Sequence, residues 1–370
     1  MTASDSKPTV SDSELTLHLI ATGVVKLYEA VKNGKAPSLP YPVELQRGLD
    51  RLVLVCLGRK EKPPQGVPDL LSWCRRPLAE WPLELPEDAG TGDKLLDGQS
   101  PTGICDEWAI ASSDVEAELT QNKLLINVME VCRPAKAPDS YVAFRRLLIS
   151  EPVLTAFDLL KRCNDPLLER LDKQIHDAYE LAPQSCALEG QFHCCSPCGN
   201  IMLRTVKGEL ICAEERCRVK GVAKAGRQIA QKEEVFWLKR GLRRFIAAPG
   251  LAELRLEEKL KKLGLEVELW PNFDSYDLRI VFADGEAWAI DVKDWANPFL
   301  LARKLSQKVS QQEPLIPSNP PWSKAYFVFP DDRRQQRTDY LRAFKHNCNL
   351  PKVIKAKFEK DFIKDVKRKL

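Results

Sequence analysis

The stretch Tyr276-Asp277-Leu278-Arg279-Ile280-Val281-Phe282, followed after a short turn by Trp288-Ala289-Ile290-Asp291-Val292-Lys293, constrains the fold more than any other part of the chain. Both segments read as strands, and each carries an acid where its neighbours are apolar. Burying an unpaired charge is costly, so Asp277, Asp291 and Lys293 are expected to face a common site at strand ends. Asp284-Gly285 supplies the tight hairpin turn between the segments. Around this pair the pattern from Gly250 onward reads helix, strand, strand, strand, helix, strand, helix. Leu251 to Leu263 is an amphipathic helix closed by Gly264. Leu265 to Trp270 alternates as a strand stopped by Pro271, and Asp277 is expected within the next strand. Ala287 to Val292 is apolar enough to be central. Leu300 to Val309 is helical, Ala325 to Phe329 a strand and Thr338 to Lys345 a helix, which together give a mixed sheet flanked by helices.

At 370 residues the chain suits two or three domains. No apolar run approaches the length of a membrane span, the longest being Leu52 to Leu57. Met1 to Ser13 is polar and lacks the regions of a signal peptide, so the expected compartment is the cytoplasm, with no membrane partner. Net charge is only +4 but uneven. Glu84 to Glu118 is acidic, Arg218 to Lys262 is basic, and the tail after Asp332 carries Arg333, Arg334, Arg337, Arg342, Lys345 and many further lysines. Such asymmetry is either a solvated helix face or the footprint of a polyanion; because two carboxylates and a lysine at strand ends can hold a divalent metal and a water beside a phosphodiester, it favours nucleic acid here.

The first half reads as all-α. Leu15, Leu19, Val24, Leu27 and Val31 recur at helical spacing, Pro42 opens a helix through Leu57, and Ser113-Asp114-Val115-Glu116 has capping-box form before a helix to about Cys132. Amphipathic segments follow at Ser140 to Ile149, Val153 to Arg162 and Leu167 to Leu181, while Pro82 to Gly103 reads as a long loop. No catalytic pattern stands out here; His18 and His176 are isolated, and Tyr141 to Arg146 reads first as packing.

Twelve cysteines divide into scattered singles, which behave as small buried hydrophobes, and five crowded into one short segment. Cys195-x-x-Cys198-Gly199 is a knuckle turn, residues 201–211 suit a hairpin turning at Lys207-Gly208, and Cys212 with Cys217 completes a four-thiolate set for structural zinc. Closed coordination of this kind leaves no position for chemistry. His193 and Cys194 are spare ligands beside it. Residues 1–185 are therefore expected as a helical domain, 186–222 as a zinc ribbon, and 223–370 as an α/β domain with a basic tail.

Asp277 with Asp291-Val292-Lys293, preceded by a helix bearing Glu253, resembles the PD-(D/E)xK restriction-endonuclease-like superfamily over about Lys232 to Phe344. The phrases Pro249-Gly-Leu-Ala-Glu-Leu, Leu269-Trp-Pro, Tyr276-Asp-Leu and Ile290-Asp-Val-Lys-Asp-Trp, with the ribbon and the helical first half, look like the restriction-endonuclease protein accompanying prokaryotic PIWI-RE proteins. That resemblance implies a chain encoded beside a PIWI-type protein and a superfamily II helicase in a defence system against invading DNA or RNA. It also implies a magnesium- or manganese-dependent endonuclease, with DNA the expected substrate. Asp277 and Asp291 would ligate Mg²⁺, which usually keeps several waters, and the main-chain carbonyl of Val292 would be a further ligand. Lys293 would orient or help deprotonate the attacking water beside the transition state. Glu253 would hold a second metal or a bound water, with Glu257 and Glu258 as rivals. Gln307 on the following helix is a further candidate, and Asp294 either pairs with Lys293 or faces solvent. Cutting both strands with one such site would call for a homodimer.

Asp-x-Lys on its own is an ordinary surface ion pair; the element order, the two acids in apolar strands and the basic surround carry the argument. Two rival readings stand beside it. One is a catalytically inactive adaptor tethering a helicase or PIWI-type partner to nucleic acid, the other a zinc-ribbon transcription factor.

Overall fold

The computed structural model describes residues 12–32, 37, 39–85, 89, 92–111, 115–204, 209–212, 214, 217–218, 221–310 and 314–370. The chain divides into two compact units, residues 1–117 and 118–370. In the first, the helices Asp12–Lys32 and Val43–Gly58 cross at two glycines. A Cβ on Gly23 would lie 2.3 Å from the Leu45 Cβ, and one on Gly48 would lie 2.5 Å from the Ile20 Cγ1. This close approach buries Leu17, Ile20, Val24, Leu45, Leu49 and Leu52 completely or nearly so. Helices Val67–Trp73 and Gly103–Ala111 follow. Within the expected loop 82–103 the chain forms two short strands, β1 (Leu96–Asp97) and β2 (Ser100–Pro101), turning at Gly98 with φ +61°. The expected cap Ser113-Asp114 lies outside the described residues.

The second unit begins within the helix Val115–Cys132 and continues with the helix Pro138–Ser150. The first half of the chain is thus helical, but it is not all-α. The two further helices expected at 153–162 and 167–181 each give up one end to a strand: β3 (Val153–Thr155) precedes the helix Ala156–Cys163, and β4 (Tyr179–Leu181) follows the helix Asp172–Ala178. Thr155 ends β3 and caps the next helix, accepting from the Asp158 amide at 3.1 Å while its own amide donates to Asp158 at 3.2 Å. Two hairpin-like pairs come next: β5 (Gln191–Cys195), β6 (Met202–Arg204), β7 (Leu210–Cys212) and β8 (Ala225–Ala230), with β5 on β8 and β6 on β7. The turn expected at Lys207-Gly208 lies outside the described residues. β9 (Val235–Leu238) then pairs antiparallel with both β3 and β4. Those strands were hidden from periodicity because their partner is remote in sequence and three residues are too few to establish a period.

A π-helical turn, Arg243–Ala247, leads into the helix Ala248–Lys261, which ends at Gly264 with φ +82°. Five strands form the main sheet: β10 (Glu266–Leu269), β11 (Leu278–Val281), β12 (Ala287–Val292), β13 (Lys324–Phe329) and β14 (Ile354–Phe358), in that spatial order. The junctions of β10, β11 and β12 are antiparallel and those of β12, β13 and β14 parallel, so the sheet is mixed with β12 central. One face buries Leu278, Ile280, Trp288, Ile290 and Tyr326 with Leu256 and Leu260 of the Ala248–Lys261 helix. The other buries Ala289, Phe327 and Phe329 with the helices Pro298–Ser310 and Tyr340–Asn347.

The basic tail folds further than expected. Ile354, Ala356 and Phe358 point inward while Lys355 and Lys357 alternate outward, making a fifth strand, and the helix Glu359–Lys369 buries Phe362 and Val366. Several of its cations are neutralised within the chain: Lys369 pairs with Glu286 at 2.8 Å and with Asp284, Lys364 with Asp361 at 3.0 Å, and Lys357 with Asp365. Among the described residues no helix is long and apolar enough to cross a membrane.

The glycine crossing yields a direct test. Gly23→Ala should destabilise the protein by at least about 1–3 kcal/mol in urea denaturation, because the added methyl meets helix backbone. Gly58→Ala, with nothing within 4 Å of its Cβ, should leave the midpoint unchanged or slightly raised.

Candidate functional site

β11 and β12 run antiparallel with Leu278 opposite Ile290, and one register step further outward brings Asp277 opposite Asp291. Asp277 is not inside the strand as expected but in the bend just before it. There the Asp277 carboxylate, not a main-chain carbonyl, accepts the Val292 N–H at 2.6 Å. Asp291 and Lys293 alternate to one side of β12, and the Lys293 ammonium lies 2.7 Å from the Asp291 Oδ1 and 5.5 Å from the Phe327 ring centroid. The Lys293 amide donates to Val328 O at 2.9 Å, so β13 fixes the backbone under the lysine. Asp277, Asp291 and Lys293 therefore gather at one strand end.

Glu253 reaches this end from the Ala248–Lys261 helix. It sits in the helix's second turn, not at its start, because the helix begins three residues earlier than expected. Its carboxylate is 4% exposed and accepts from the Trp270 Nε1 at 2.6 Å and the Arg145 Nη2 at 3.3 Å. The rivals lie elsewhere: Glu257 pairs with Arg146 and with Lys261 at 2.8 Å, and Glu258 pairs with Lys262 at 2.6 Å on the surface.

Arg145 is a site residue that sequence reasoning missed. It projects from the Pro138–Ser150 helix, pairs with both Glu253 and Asp274, and stacks 4.6 Å from the Trp270 ring centroid. Tyr141, one turn earlier, donates to Asp274 at 3.1 Å. Asp274 belongs to a loop in which Trp270, Asn272, Phe273 and Asp274 all have φ between +44° and +76°. Such non-glycine conformations cost on the order of 1–3 kcal/mol each and persist only where surroundings enforce them. The enforcing contacts are the Arg145 and Tyr141 bonds, the Trp270 bond to Glu253, and the Trp270 amide donating to Asp277 O at 2.8 Å. The strained loop thereby sets the position of Asp277.

Electrostatics bind these groups together. Burial raises the Asp277 carboxyl well above the usual carboxylate range, and the charges of Glu253 and Asp291 raise it further against the pull of Lys293. Burial likewise raises Glu253, opposed by Arg145. For Lys293, burial favours the neutral amine, but Asp291 and Asp277 outweigh it and the net shift is upward. Lys293 is thus favoured as an ammonium in the metal-free site, suited to orienting a nucleophile and offsetting charge. Glu253, Asp274, Asp277 and Asp291 face Arg145 and Lys293, so the carboxyl groups outnumber the cations and repel one another when ionised, which adds to the upward shifts of Asp277 and Glu253. A divalent cation would let these carboxyl groups ionise side by side, and carboxylate oxygens are the donors Mg²⁺ and Mn²⁺ take. The donor set therefore fits a hard divalent ion. The oxygens of Glu253, Asp277 and Asp291 do not, however, all lie within 4.8 Å of one another.

Asp294 neither pairs with Lys293 nor faces solvent. Its Oδ1 meets the Arg333 Nε at 3.0 Å, and both side chains are buried. The Trp295 ring packs under Lys304, 5.4 Å from the ammonium. The side chain of Gln307 lies outside the described part of the chain.

The four sulfurs of Cys195, Cys198, Cys212 and Cys217 do lie within 4.8 Å of one another, and all four residues are buried. The Cys198 and Cys212 sulfurs are 3.5 Å apart, and the Glu214 amide donates to the Cys212 sulfur at 3.3 Å, as amides do around metal-bound thiolates. Gly199 has φ +72°, and its missing Cβ would lie 2.9 Å from Pro152, so the knuckle glycine answers both to backbone geometry and to a close approach. Bonds from Cys198 and Cys212 push the Cys217 thiol down, so the group shares a thiolate. His193 and Cys194 stand outside this group. The set fits a tetrahedral soft ion such as Zn²⁺.

Two family models match the chain. Residues 16–155 match the one described as pPIWI_RE three-gene island domain Y, and residues 250–370 match the one described as REase associating with pPIWI_RE. Comparison with curated proteins and with solved structures finds no match.

Two outcomes follow from this charge arrangement. Arg145→Ala leaves Glu253 and Asp274 without their buried cation and should cost about 3–5 kcal/mol in chemical denaturation. For Asp277, the unfolded chain releases the proton near pH 4 (about 3.9) while the folded protein holds it longer. Above that point the folded state binds more protons, so stability falls as pH rises through the folded value. Melting curves of metal-free protein should therefore show Asp277→Asn with a higher Tm than the parent at pH 8 and a flatter pH dependence.

Proposed function

We propose that this chain, which belongs to the restriction-endonuclease-like proteins associated with pPIWI_RE, is a divalent-metal-dependent endonuclease hydrolysing phosphodiester bonds of nucleic acid, DNA foremost. The observation that carries the reading is the gathering of Asp277, Asp291 and Lys293 at one strand end, where burial and neighbouring carboxyl groups raise Asp277. In this reading Asp277 and Asp291 hold Mg²⁺ or Mn²⁺, with the Val292 carbonyl as a further ligand and Glu253 holding a second ion or a bound water. Such an ion, when held by Asp277 and Asp291, would supply a nucleophilic water at neutral pH and offset negative charge at the phosphoryl group. Val292 N–H orients the Asp277 carboxylate, leaving that group's other oxygen for the metal. Lys293, kept cationic by the two aspartates, orients the water and faces the charge that builds on the phosphoryl oxygens. Arg145 and Trp270 hold Glu253 in place from behind. Attack is direct, without a covalent intermediate.

The wider reading assigns 1–185 to a helical domain, 186–222 to a zinc ribbon that staples the fold through Cys195, Cys198, Cys212 and Cys217, and 223–370 to the nuclease domain. It places the chain in the cytoplasm, within a defence system against invading DNA alongside a pPIWI_RE protein and a superfamily II helicase. Double-strand scission by this one site per chain would draw on two copies.

A second reading is favoured by one observation: the Glu253 Oε2 is taken by both Arg145 and Trp270, and among the described residues the oxygens of Glu253, Asp277 and Asp291 do not all lie within 4.8 Å of one another. In that reading the chain is a non-catalytic adaptor tethering its partners to nucleic acid. Supercoiled plasmid with Mg²⁺ or Mn²⁺ separates the two, tested with the protein alone and with its pPIWI_RE and helicase partners. Nicking by the parent and a loss on the order of 10²-fold or more in Asp291→Ala and Lys293→Ala is expected for the nuclease. Equal activity in parent and both variants would exclude this site, and DNA retention without any scission would establish the adaptor.

A further inference from the structure

We propose that Cys163, Asp172 and His176 form a second transition-metal site, distinct from the four-thiol group and from the strand-end carboxylates, with one coordination position open to solvent. Cys163 is the last residue of the Ala156–Cys163 helix, and Asp172 opens the Asp172–Ala178 helix with His176 one turn on. The i,i+4 spacing stacks the carboxylate and the imidazole on one helix face. The loop 164–171 returns the chain so that this face meets the end of the preceding helix, anchored by buried Leu168, Leu171 and Ile175.

The geometry is close to that of a filled site. The Cys163 sulfur lies 3.8 Å from the His176 Nε2, and that nitrogen lies 3.5 Å from the Asp172 Oδ1. One donor atom from each residue falls within 4.8 Å of the others. Bonds of about 2.3 Å to sulfur and about 2.0–2.2 Å to nitrogen and oxygen, at tetrahedral angles, put neighbouring ligand atoms roughly 3.4–3.6 Å apart. The two separations at the His176 Nε2 therefore need at most a few tenths of an ångström of adjustment.

The ligand types select the ion. A thiolate with an imidazole and a carboxylate suits Zn²⁺ and its neighbours in the first transition row, and suits Mg²⁺ or Ca²⁺ poorly. Cys163 is 9% exposed, while the His176 and Asp172 side chains are 56% and 58% exposed. The metal would thus rest on a buried sulfur and show its fourth position to water, as exchangeable or reactive sites do and closed structural ones do not. Both helices attach to the sheet of β3, β9 and β4, so the ion would clamp their ends across that sheet. Residues 163–176 lie in the stretch covered by neither family match.

The plain alternative is an exposed His–Asp ion pair beside an unrelated thiol, and it binds no metal. Full-length protein stripped of metal is titrated with Co²⁺ in excess Mg²⁺, and Zn²⁺ content is measured separately after dialysis against Zn²⁺. The parent should take one more equivalent than His176→Gln or Cys163→Ser, and the extra Co²⁺ should show a single-thiolate charge-transfer band that azide perturbs. His176→Gln, altering an exposed side chain, should keep the parent's Tm in the metal-free state. Equal metal uptake and identical Co²⁺ spectra in parent and both variants would overturn the proposal. Asp291→Ala should retain the extra equivalent, so failure here and failure of the nuclease reading are separable.

Discussion

A knot of buried charge at one end of a β-hairpin is the constraint around which the second unit is arranged. Glu253, Asp274, Asp277 and Asp291 crowd together, and Arg145 and Lys293 stand against them. Isolated in a low-dielectric interior, any one of these acids would be neutral or would unfold its surroundings. They persist because each is held by a different element: a helix beside the sheet, a strained loop, a hairpin bend and a central strand. Such a concentration of like charge is a poor way to stabilise a fold and a good way to prepare a site for a cation.

The sheet makes that concentration sustainable. β12 is central, with β11 antiparallel on one side and β13 parallel on the other, so the backbone beneath Asp291 and Lys293 is pinned from both directions. Both faces are covered, one by the Ala248–Lys261 and Glu359–Lys369 helices and the other by Pro298–Ser310 and Tyr340–Asn347. A rigid platform of this kind keeps carboxylates near one another when their repulsion would drive them apart. Arg145 adds a lock from the opposite direction: by gripping Asp274 it maintains the left-handed loop, and through that loop the placement of Asp277.

Two kinds of ligand chemistry are kept apart within the same unit. Hard oxygen donors gather at the strand end, whereas sulfur donors gather in the cysteine cluster and at Cys163. The separation matters, because a soft metal scavenged by the carboxylates or a hard one left without them would defeat either site. The basic tail has a more mixed character than its charge count suggests. Several of its lysines close ion pairs onto Asp284, Glu286, Asp361 and Asp365, which lowers the positive charge available to a polyanion.

Local pattern was enough to expose the aspartates and lysine of the hairpin and the four cysteines, because strand alternation and short ligand spacings are themselves local. It was also enough for the helices Asp12–Lys32 and Val43–Gly58, whose apolar stripes run for several turns. The period-2 alternation of Ile354 to Phe358 was present but masked by its lysines, and β3, β4 and β9 were too short and too distant from one another to show a period. Arg145 and the Cys163–Asp172–His176 group belong to neither kind of pattern: their partners lie on other elements, and side chains that meet through packing leave no spacing to read. Sequence alone thus determined which acidic, basic and thiol side chains stand together within a strand or a knuckle. Which distant charges surround them was decided by folding, since burial and Coulomb coupling depend on distance through space and not along the chain.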